Sequence, residues 1–479
     1  VIRVALLTLA IWVPGTLYPP SDVSHFSFRV AVCLAACGTV AIPQGRLVRA
    51  GLALWGAGIA WSVVAAPDPW RALWSTHSRN EGAWQAAHYL LLVLVASFVA
   101  RASLARWVAL AALAAAAWGV APLGWVDGRL AGSTGNPLYL APLLLIGAWG
   151  AWRAGWRWLA ALLVVAALAT GSKGVVVALV AAGGVWLLAR APGRVILAVG
   201  AVVAAGVWFA PMPDSGAIRI ELGRIAVAGI AERPLGWGAE GFSFAFDRFW
   251  TGFSPTGEVW HDRVHCHLLD RAIEWGVVGV AGWIAVVVAA WRRAELPERM
   301  AIAAYLGFGL TMFPMMWGEA AFAALLGYTL RGRPCRVDRR VAWTAAAVAA
   351  PGRVFSSDRG SRIVNKPFAL LAVAVALGVG AAQLNQSHAA ARAADMPSME
   401  RAIDLWSPVG GDVVVLYLKA PQTAATLEWA ADRVELWAPH ASRQAMLLAL
   451  WDRKLYCADL RATAPRRPDT IALCGGRDE

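Results

Sequence analysis

The chain has 479 residues, of which 59% are hydrophobic and 15% charged, with a formal net charge of +13. Soluble domains average about 25% charged residues, so this chain lacks a water-facing polar coat, and its mean hydropathy of +0.55 points to a bilayer. The basic excess does not indicate nucleic acid, because the arginines stand in ones and twos between apolar runs, with no basic groove or stacking motif beside them.

In chain order, apolar helices are predicted at 4–18, 26–42, 47–65, 84–100, 105–122, 137–152, 156–170, 174–189, 194–210, 268–291, 299–316, 318–330 and 367–383. Runs of roughly 17–25 apolar residues read as bilayer spans. The expected fold class is therefore all-α, a polytopic transmembrane helical bundle of about 12–13 spans, some short enough to be re-entrant or tilted. The first run has no small-residue cleavage site and reads as a span rather than a signal peptide.

The connecting loops alternate in character. Arg46 and Arg49 follow the second span, Arg101 and Arg106 the fourth, and Arg153 and Arg157 the sixth. Arg190 and Arg194 follow the eighth, Arg292, Arg293 and Arg299 the tenth, and a dense cluster from Arg331 to Arg340 the twelfth. The positive-inside rule puts these loops, including the basic loop 331–366, in the cytoplasm. The remaining connections, 66–83, 123–136, 170–174 and the long stretch 211–267, then face outward.

Those outward loops carry polar residues that orientation does not require: His77, Arg79, Glu81, Asn136, Lys173, Arg219, Arg224, Arg263 and His265. Charges at a membrane boundary without a topological role are functional candidates. Within 211–267, residues 219–231 have helical spacing, which Pro234 and Gly236 to Gly241 break. Arginine grips phosphate oxygens through paired charge-assisted hydrogen bonds, and histidine can take a proton from a hydroxyl near neutral pH. Together they suit glycosyl transfer from a lipid diphosphate: a clamp for the leaving group and a base for the acceptor.

Five motifs in order resemble those of the O-antigen ligase and polymerase superfamily, over roughly residues 66–330. Ser75-Thr-His-Ser-Arg79-Asn-Glu-Gly82 resembles its outer-loop R-x-x-G signature, Gly132-Ser-Thr-Gly-Asn136-Pro137 its G-N-P segment, and Thr170-Gly-Ser-Lys173-Gly174 its S-R-G turn. Arg219 stands 15 residues before the Pro234-Leu-Gly-Trp-Gly238 turn, and His265 11 residues before Gly276, both as in that family. The resemblance implies a GT-C-like membrane glycosyltransferase of the bacterial inner membrane with a periplasmic site. It also implies an undecaprenyl-diphosphate-linked glycan donor, a lipid or protein hydroxyl acceptor, and metal-independent inverting transfer with no cofactor. It makes His265 the base or acceptor-activating residue and Arg219 a diphosphate ligand, with Arg79, Lys173, Arg224, Asn136 and Arg263 as substrate-binding candidates. Lys173 replaces the usual second arginine and loses its bidentate fork, and Cys266 replaces the usual asparagine.

Competing signals are weaker. His261, His265, Cys266 and His267 have irregular spacing for zinc. No nucleotide-binding G-x-x-x-x-G-K-[ST] run is present. Glu319 reads either as a functional intramembrane carboxylate or as a solvated one at a span's outer end. A transporter or channel for a polar or anionic solute is the rival function, and it requires polar residues deep in several spans. Residues 1–383 form the membrane domain, and 384–479 an outward helical tail. In that tail Asp404-Leu-Trp-Ser-Pro408 and Glu435-Leu-Trp-Ala-Pro439 lie 31 residues apart, leaving open a degenerate TPR-like repeat or a plain helical cap. Cys457 and Cys474 are equally open, as a disulfide or as free thiols.

Overall fold

A computed structural model describes residues 2–11, 22–38, 43–75, 81–121, 124–190, 214–250, 261, 263–331, 361–392 and Ser398. His77, Arg79, the predicted span 194–210, the repeat echo, and Cys457 and Cys474 lie outside the described residues.

The described chain is almost entirely helical: α1 (Ile2–Leu7), α2 (Asp22–Gly38), α3 (Arg46–Val64), α4 (Pro69–Trp74), α5 (Ala83–Ala96), α6 (Arg101–Ala117), α7 (Pro137–Arg153), α8 (Arg157–Ala169), α9 (Lys173–Arg190), α10 (Asp214–Glu232), α11 (Phe242–Phe249), α12 (His267–Arg293), α13 (Leu296–Gly309), α14 (Met316–Leu330) and α15 (Ser361–Arg392). One hairpin, β1 (Trp125–Val126) and β2 (Arg129–Leu130), interrupts them. Its turn is Asp127-Gly128, both at positive φ, as a two-residue primed turn demands.

Among the described residues, four helices are long and apolar enough to cross a membrane: Arg46–Val64, Arg101–Val120, Lys173–Arg190 and His267–Arg293. Exposed apolar side chains on α9 and on the shorter helix α8 support the same reading. Trp158, Leu162 and Val165 on α8 and Val176, Val180 and Leu188 on α9 are all exposed, an apolar face that water would penalise. The interior holds α14, in which every residue from Met316 to Leu330 is buried. At 1.5 Å per residue it runs only about 22 Å, short of the roughly 30 Å hydrocarbon core, and it is enclosed by α5, α7 and α12.

Helix pairs approach closely where small residues meet. The most extensive pairing joins α3 to α12. A Cβ on Gly58 would collide with the Cα of Gly279, and one on Gly282 with the backbone of Trp55. Small residues let helix backbones come together where burying apolar surface gives little advantage.

The basic loops predicted to share one side are joined at one end of the bundle. Arg153 lies 2.9 Å from both Glu295 and Glu298, and it donates to Tyr328 Oη at 3.0 Å. Arg293 donates to the carbonyls of Gln44 and Leu330.

Three features depart from the predicted elements. The 66–83 connection contains a helix, α4, started by Asp68, whose side chain accepts the Arg71 amide at 2.9 Å, and by Pro69 in the first turn. The predicted span 268–291 is broken inside α12 at Gly276, which has φ 68° and ψ 176°. Finally, α15 runs without interruption from Ser361 to Arg392, across the predicted domain boundary at residue 383.

Candidate functional site

The break in α12 is made by a neighbouring turn. Helix α10 ends at Glu232, and Pro234-Leu-Gly-Trp-Gly238 folds back onto α12. Trp237 N donates to the Ile273 carbonyl at 2.7 Å, and Val277 N donates to the Pro234 carbonyl at 2.8 Å. The turn therefore replaces the hydrogen bonds that the broken helix loses. Gly276 and Gly236 both need positive φ, and a Cβ on either would strike the other strand of this junction. Above it, α10 and α11 share a small core of their own, built on Leu222, Ile225, Phe242, Phe246, Val264 and Ile273. Arg219's helix and the segment before His265 thus pack on one cluster.

Beneath this cap runs a buried chain of alternating charges. Arg71 Nε lies 3.4 Å from Glu240 Oε2, and Arg263 Nη2 lies 3.5 Å from Glu240 Oε1. Arg263 Nη1 also pairs with Glu274 Oε1. Arg271 Nη1 reaches Glu274 Oε2 at 2.9 Å, and Arg271 Nη2 reaches Glu319 Oε2 at 3.3 Å. Glu319 Oε1 lies 3.0 Å from His267 Nε2 and accepts the Tyr305 hydroxyl at 2.6 Å. Each carboxylate is shared between cationic groups, which offsets the large cost of removing these charges from water. A branch runs through Ser75, whose hydroxyl donates to Glu240 and accepts the Glu81 amide at 3.0 Å. Glu81 in turn accepts the Tyr89 hydroxyl at 2.9 and 2.8 Å.

Backbone strain is concentrated here. Four described non-glycine residues have positive φ: Asp127 in the hairpin turn, and Ser75 (76°), Glu240 (58°) and His265 (60°). The last three belong to or adjoin this network, and strained backbone held by surrounding structure is a mark of functional sites.

The imidazole of His265 is half-buried, edge-on to Phe313 at 5.1 Å and to His261 at 6.5 Å between ring centroids. Phe313 also lines a narrow pocket with Leu138, Pro142, His267, Tyr305 and Phe308. The pocket has room for one water-sized group. It therefore lies between the His265–Phe313 pair and the His267–Glu319–Tyr305 cluster.

The remaining sequence candidates are dispersed. Arg263 is 1% exposed, with its guanidinium held by Glu240 and Glu274. It is thereby placed to brace the site rather than to meet a ligand directly. Arg224 is exposed and forms a bidentate pair with Glu221 at 2.9 and 2.6 Å. That hydrogen bonding holds the Glu221 carboxyl below its usual range and raises the guanidinium's own value. Asn136 caps α7, its side chain accepting the Leu138 amide at 2.8 Å. Lys173 is exposed at the first position of α9. Arg219 is half-buried on α10. Neither Lys173 nor Arg219 has a hydrogen bond or ion pair among the described residues, so both remain available to an anion. Burial pushes the Cys266 thiol upward.

The sequence reading passed over Arg71, Glu240, Arg271, Glu274 and Tyr305, weighed His267 only as a zinc ligand, and left Glu319 open to solvation. Glu319 is 2% exposed. The available signal was the run Asp270-Arg271 and Glu274 inside the first turns of an apolar helix, where unpaired charge is too costly to persist. Among the described residues, no three His, Cys, Asp or Glu side chains gather as a metal site requires. His267 faces Glu319 and the rings of Trp283 and Tyr305, whereas His265 faces Phe313.

No protein-family model matches the chain, and no curated protein matches it.

Proposed function

We propose that this chain is a membrane glycosyltransferase of the inner membrane, acting at the extracytoplasmic face. It moves a glycan from an undecaprenyl-diphosphate carrier to a hydroxyl of a lipid or protein acceptor. The observation that carries the proposal is a buried charge network under the α10–α11 cap in which two strained residues, Ser75 and Glu240, are hydrogen-bonded, with the strained His265 standing in sequence between its members Arg263 and His267. Such a frame holds side chains in fixed positions at the end of an apolar bundle, where a lipid-borne substrate can approach laterally. Ligase, repeat-unit polymerase and protein O-oligosaccharyltransferase all fit this reading.

In this mechanism Lys173 and Arg219, which have no hydrogen bond or ion pair among the described residues, meet the donor diphosphate. They stabilise the charge that grows as the glycosidic C–O bond breaks. Arg79 joins them from the 76–80 segment, which lies outside the described residues. Arg263 acts one step back, holding Glu240 and Glu274 and through them the cap. His265 receives the acceptor at the pocket mouth.

The test is reconstitution of the full chain in liposomes with a polyprenyl-diphosphate-linked glycan and a hydroxyl acceptor. Transfer is expected, with large losses in His265→Ala and Arg219→Ala. Absence of transfer with every acceptor class would end the proposal.

One observation favours the rival reading, a transporter. Helix α2 faces α5, and the residue two before it, through three polar pairs. They are His25–Glu81 at 3.7 Å, Arg29–Gln85 at 2.6 Å and Cys33–His88 at 3.3 Å. Polar groups in apolar helices are the usual mark of a conduction path. Flux of an anionic solute through liposomes, abolished by Arg29→Met, would support transport over transfer.

A further inference from the structure

From the join between the β1–β2 hairpin and the start of α9 we infer that Arg129 is a ligand of the donor diphosphate, supplying beside Lys173 the paired hydrogen bonds that a lysine lacks. This rests on the glycosyl-transfer reading above and adds a residue to its diphosphate site.

Arg129 opens β2 and stands opposite Val126 across the hairpin. Its Nε donates to the Thr170 carbonyl at 2.8 Å, so the guanidinium is fastened to the turn that leads into α9. The stem lies against Gly171, where an added Cβ would sit 3.1 Å from Nε and 3.4 Å from Cγ. Gly171 has φ 60°, which glycine adopts without cost. The turn thus gives Arg129 a seat that a side chain at 171 would crowd. Only Nε is spent on that seat. Arg129 is half-buried, and neither of its Nη atoms has a hydrogen bond or ion pair among the described residues.

The start of α9 completes the site. Lys173, three residues after Thr170, is exposed at the first position of this 18-residue helix. Ser172, just before it, is 5% exposed, and its Oγ has no hydrogen-bond partner among the described residues. A serine in this place ordinarily caps a first-turn amide with its side chain. Here Val175 N donates to the Ser172 carbonyl instead, at 3.0 Å. The hydroxyl at the helix mouth is therefore unspent, and the amides of Lys173 and Gly174 have no side-chain cap. An uncapped helix N-terminus presents free N–H groups and the positive end of the dipole, which together favour an anion.

The two cations divide the work. A guanidinium grips phosphate oxygens through two parallel charge-assisted hydrogen bonds, whereas an ammonium acts as a point charge. Free diphosphate, a lipid diphosphate and a phospholipid headgroup all offer such oxygens. Two neighbouring cations at a helix mouth suit the two phosphates of a diphosphate better than the single phosphate of a bilayer lipid.

The experiment uses the full chain in detergent micelles and needs no turnover. Wild type is treated with phenylglyoxal, which modifies accessible arginine, with and without inorganic diphosphate, and modification at residue 129 is mapped by mass spectrometry. Diphosphate is expected to slow it by about tenfold or more. Affinities for inorganic and polyprenyl diphosphate are then measured by thermal shift in wild type, Arg129→Gln and Arg129→Lys. Arg129→Gln is expected to weaken both by about tenfold. Arg129→Lys keeps the charge without the fork and should recover only part of that loss. No protection of residue 129 by diphosphate, or wild-type affinity in a folded Arg129→Gln, overturns the inference. Phosphatidylglycerol in mixed micelles separates the sources of phosphate. It should protect residue 129 far less than polyprenyl diphosphate does, and equal protection overturns the donor assignment. The glycosyl-transfer reading fails separately, if wild type binds polyprenyl diphosphate yet transfers to no acceptor. The binding measurements still decide Arg129 in that case.

Discussion

The amide of Val277 donates to the carbonyl of Pro234 at 2.8 Å, so the turn that ends α10 closes the break in α12. The cap over the buried charges and the helix that supplies Arg271 and Glu274 are therefore one hydrogen-bonded unit.

That junction depends on Gly276. At φ 68° and ψ 176° it occupies a region open essentially to glycine alone, and a Cβ would collide with the backbone of Leu235. Gly276→Ala is expected to cost roughly 1–3 kcal/mol from backbone strain, plus the steric displacement. A lowered melting temperature in detergent, with faster proteolysis near residue 235, is the expected result. An unchanged melt would show that α12 can continue straight through this position.

Glu274 bridges two buried arginines, Arg263 and Arg271. Removing it leaves both partly uncompensated, so Glu274→Ala should destabilise by about 3–5 kcal/mol, as breaking a buried ion pair does. Adding Arg263→Met to Glu274→Ala should cost less than the sum of the single changes, because the two residues share one interaction. Additive melts would argue that the pair is not coupled.

The α3–α12 contact predicts a positional contrast. Gly58→Leu would drive a side chain into Gly279 and is expected to cost at least about 1–3 kcal/mol. Gly183→Leu, on α9 with nothing within 4 Å of an added Cβ, should be close to neutral. Size-exclusion profiles of the two variants distinguish the cases, and equal behaviour would contradict the packing described.

Arg224 and Cys266 give two checks on the cap. The Glu221 carboxyl is depressed by Arg224, so the pair's small contribution is present above the ordinary carboxylate range and lost as acid protonates Glu221. The pair is largely exposed, so Arg224→Ala should cost less than about 1 kcal/mol. If that variant folds normally yet loses transfer, Arg224 serves substrate rather than stability. The raised Cys266 thiol holds less thiolate at neutral pH than a free cysteine. Maleimide labelling mapped to residue 266 should therefore be slow at pH 7 and accelerate as pH rises.

Local chemistry in the sequence settled much of this molecule. Apolar run lengths located most helices, and Pro234 with the glycines after it ended α10 where the structure ends it, at Glu232. The alternation of basic loops anticipated that Arg153, Arg293 and the ends of α13 and α14 would meet at one end of the bundle. Asp68-Pro69 was an unused helix-start signal, legible because capping acts within a few residues.

Tertiary structure alone decided which charges would matter. Arg71 and Glu240 pair across 169 positions, and Arg153 reaches Tyr328 across 175. Hydropathy and propensity act over a few turns of helix, so they mark Glu319 or Arg263 as unusual without naming a partner. Burial in a low-dielectric interior then forces such groups to find opposite charges wherever folding brings them. Only the packed arrangement could turn scattered polar residues into one network with a pocket beside it.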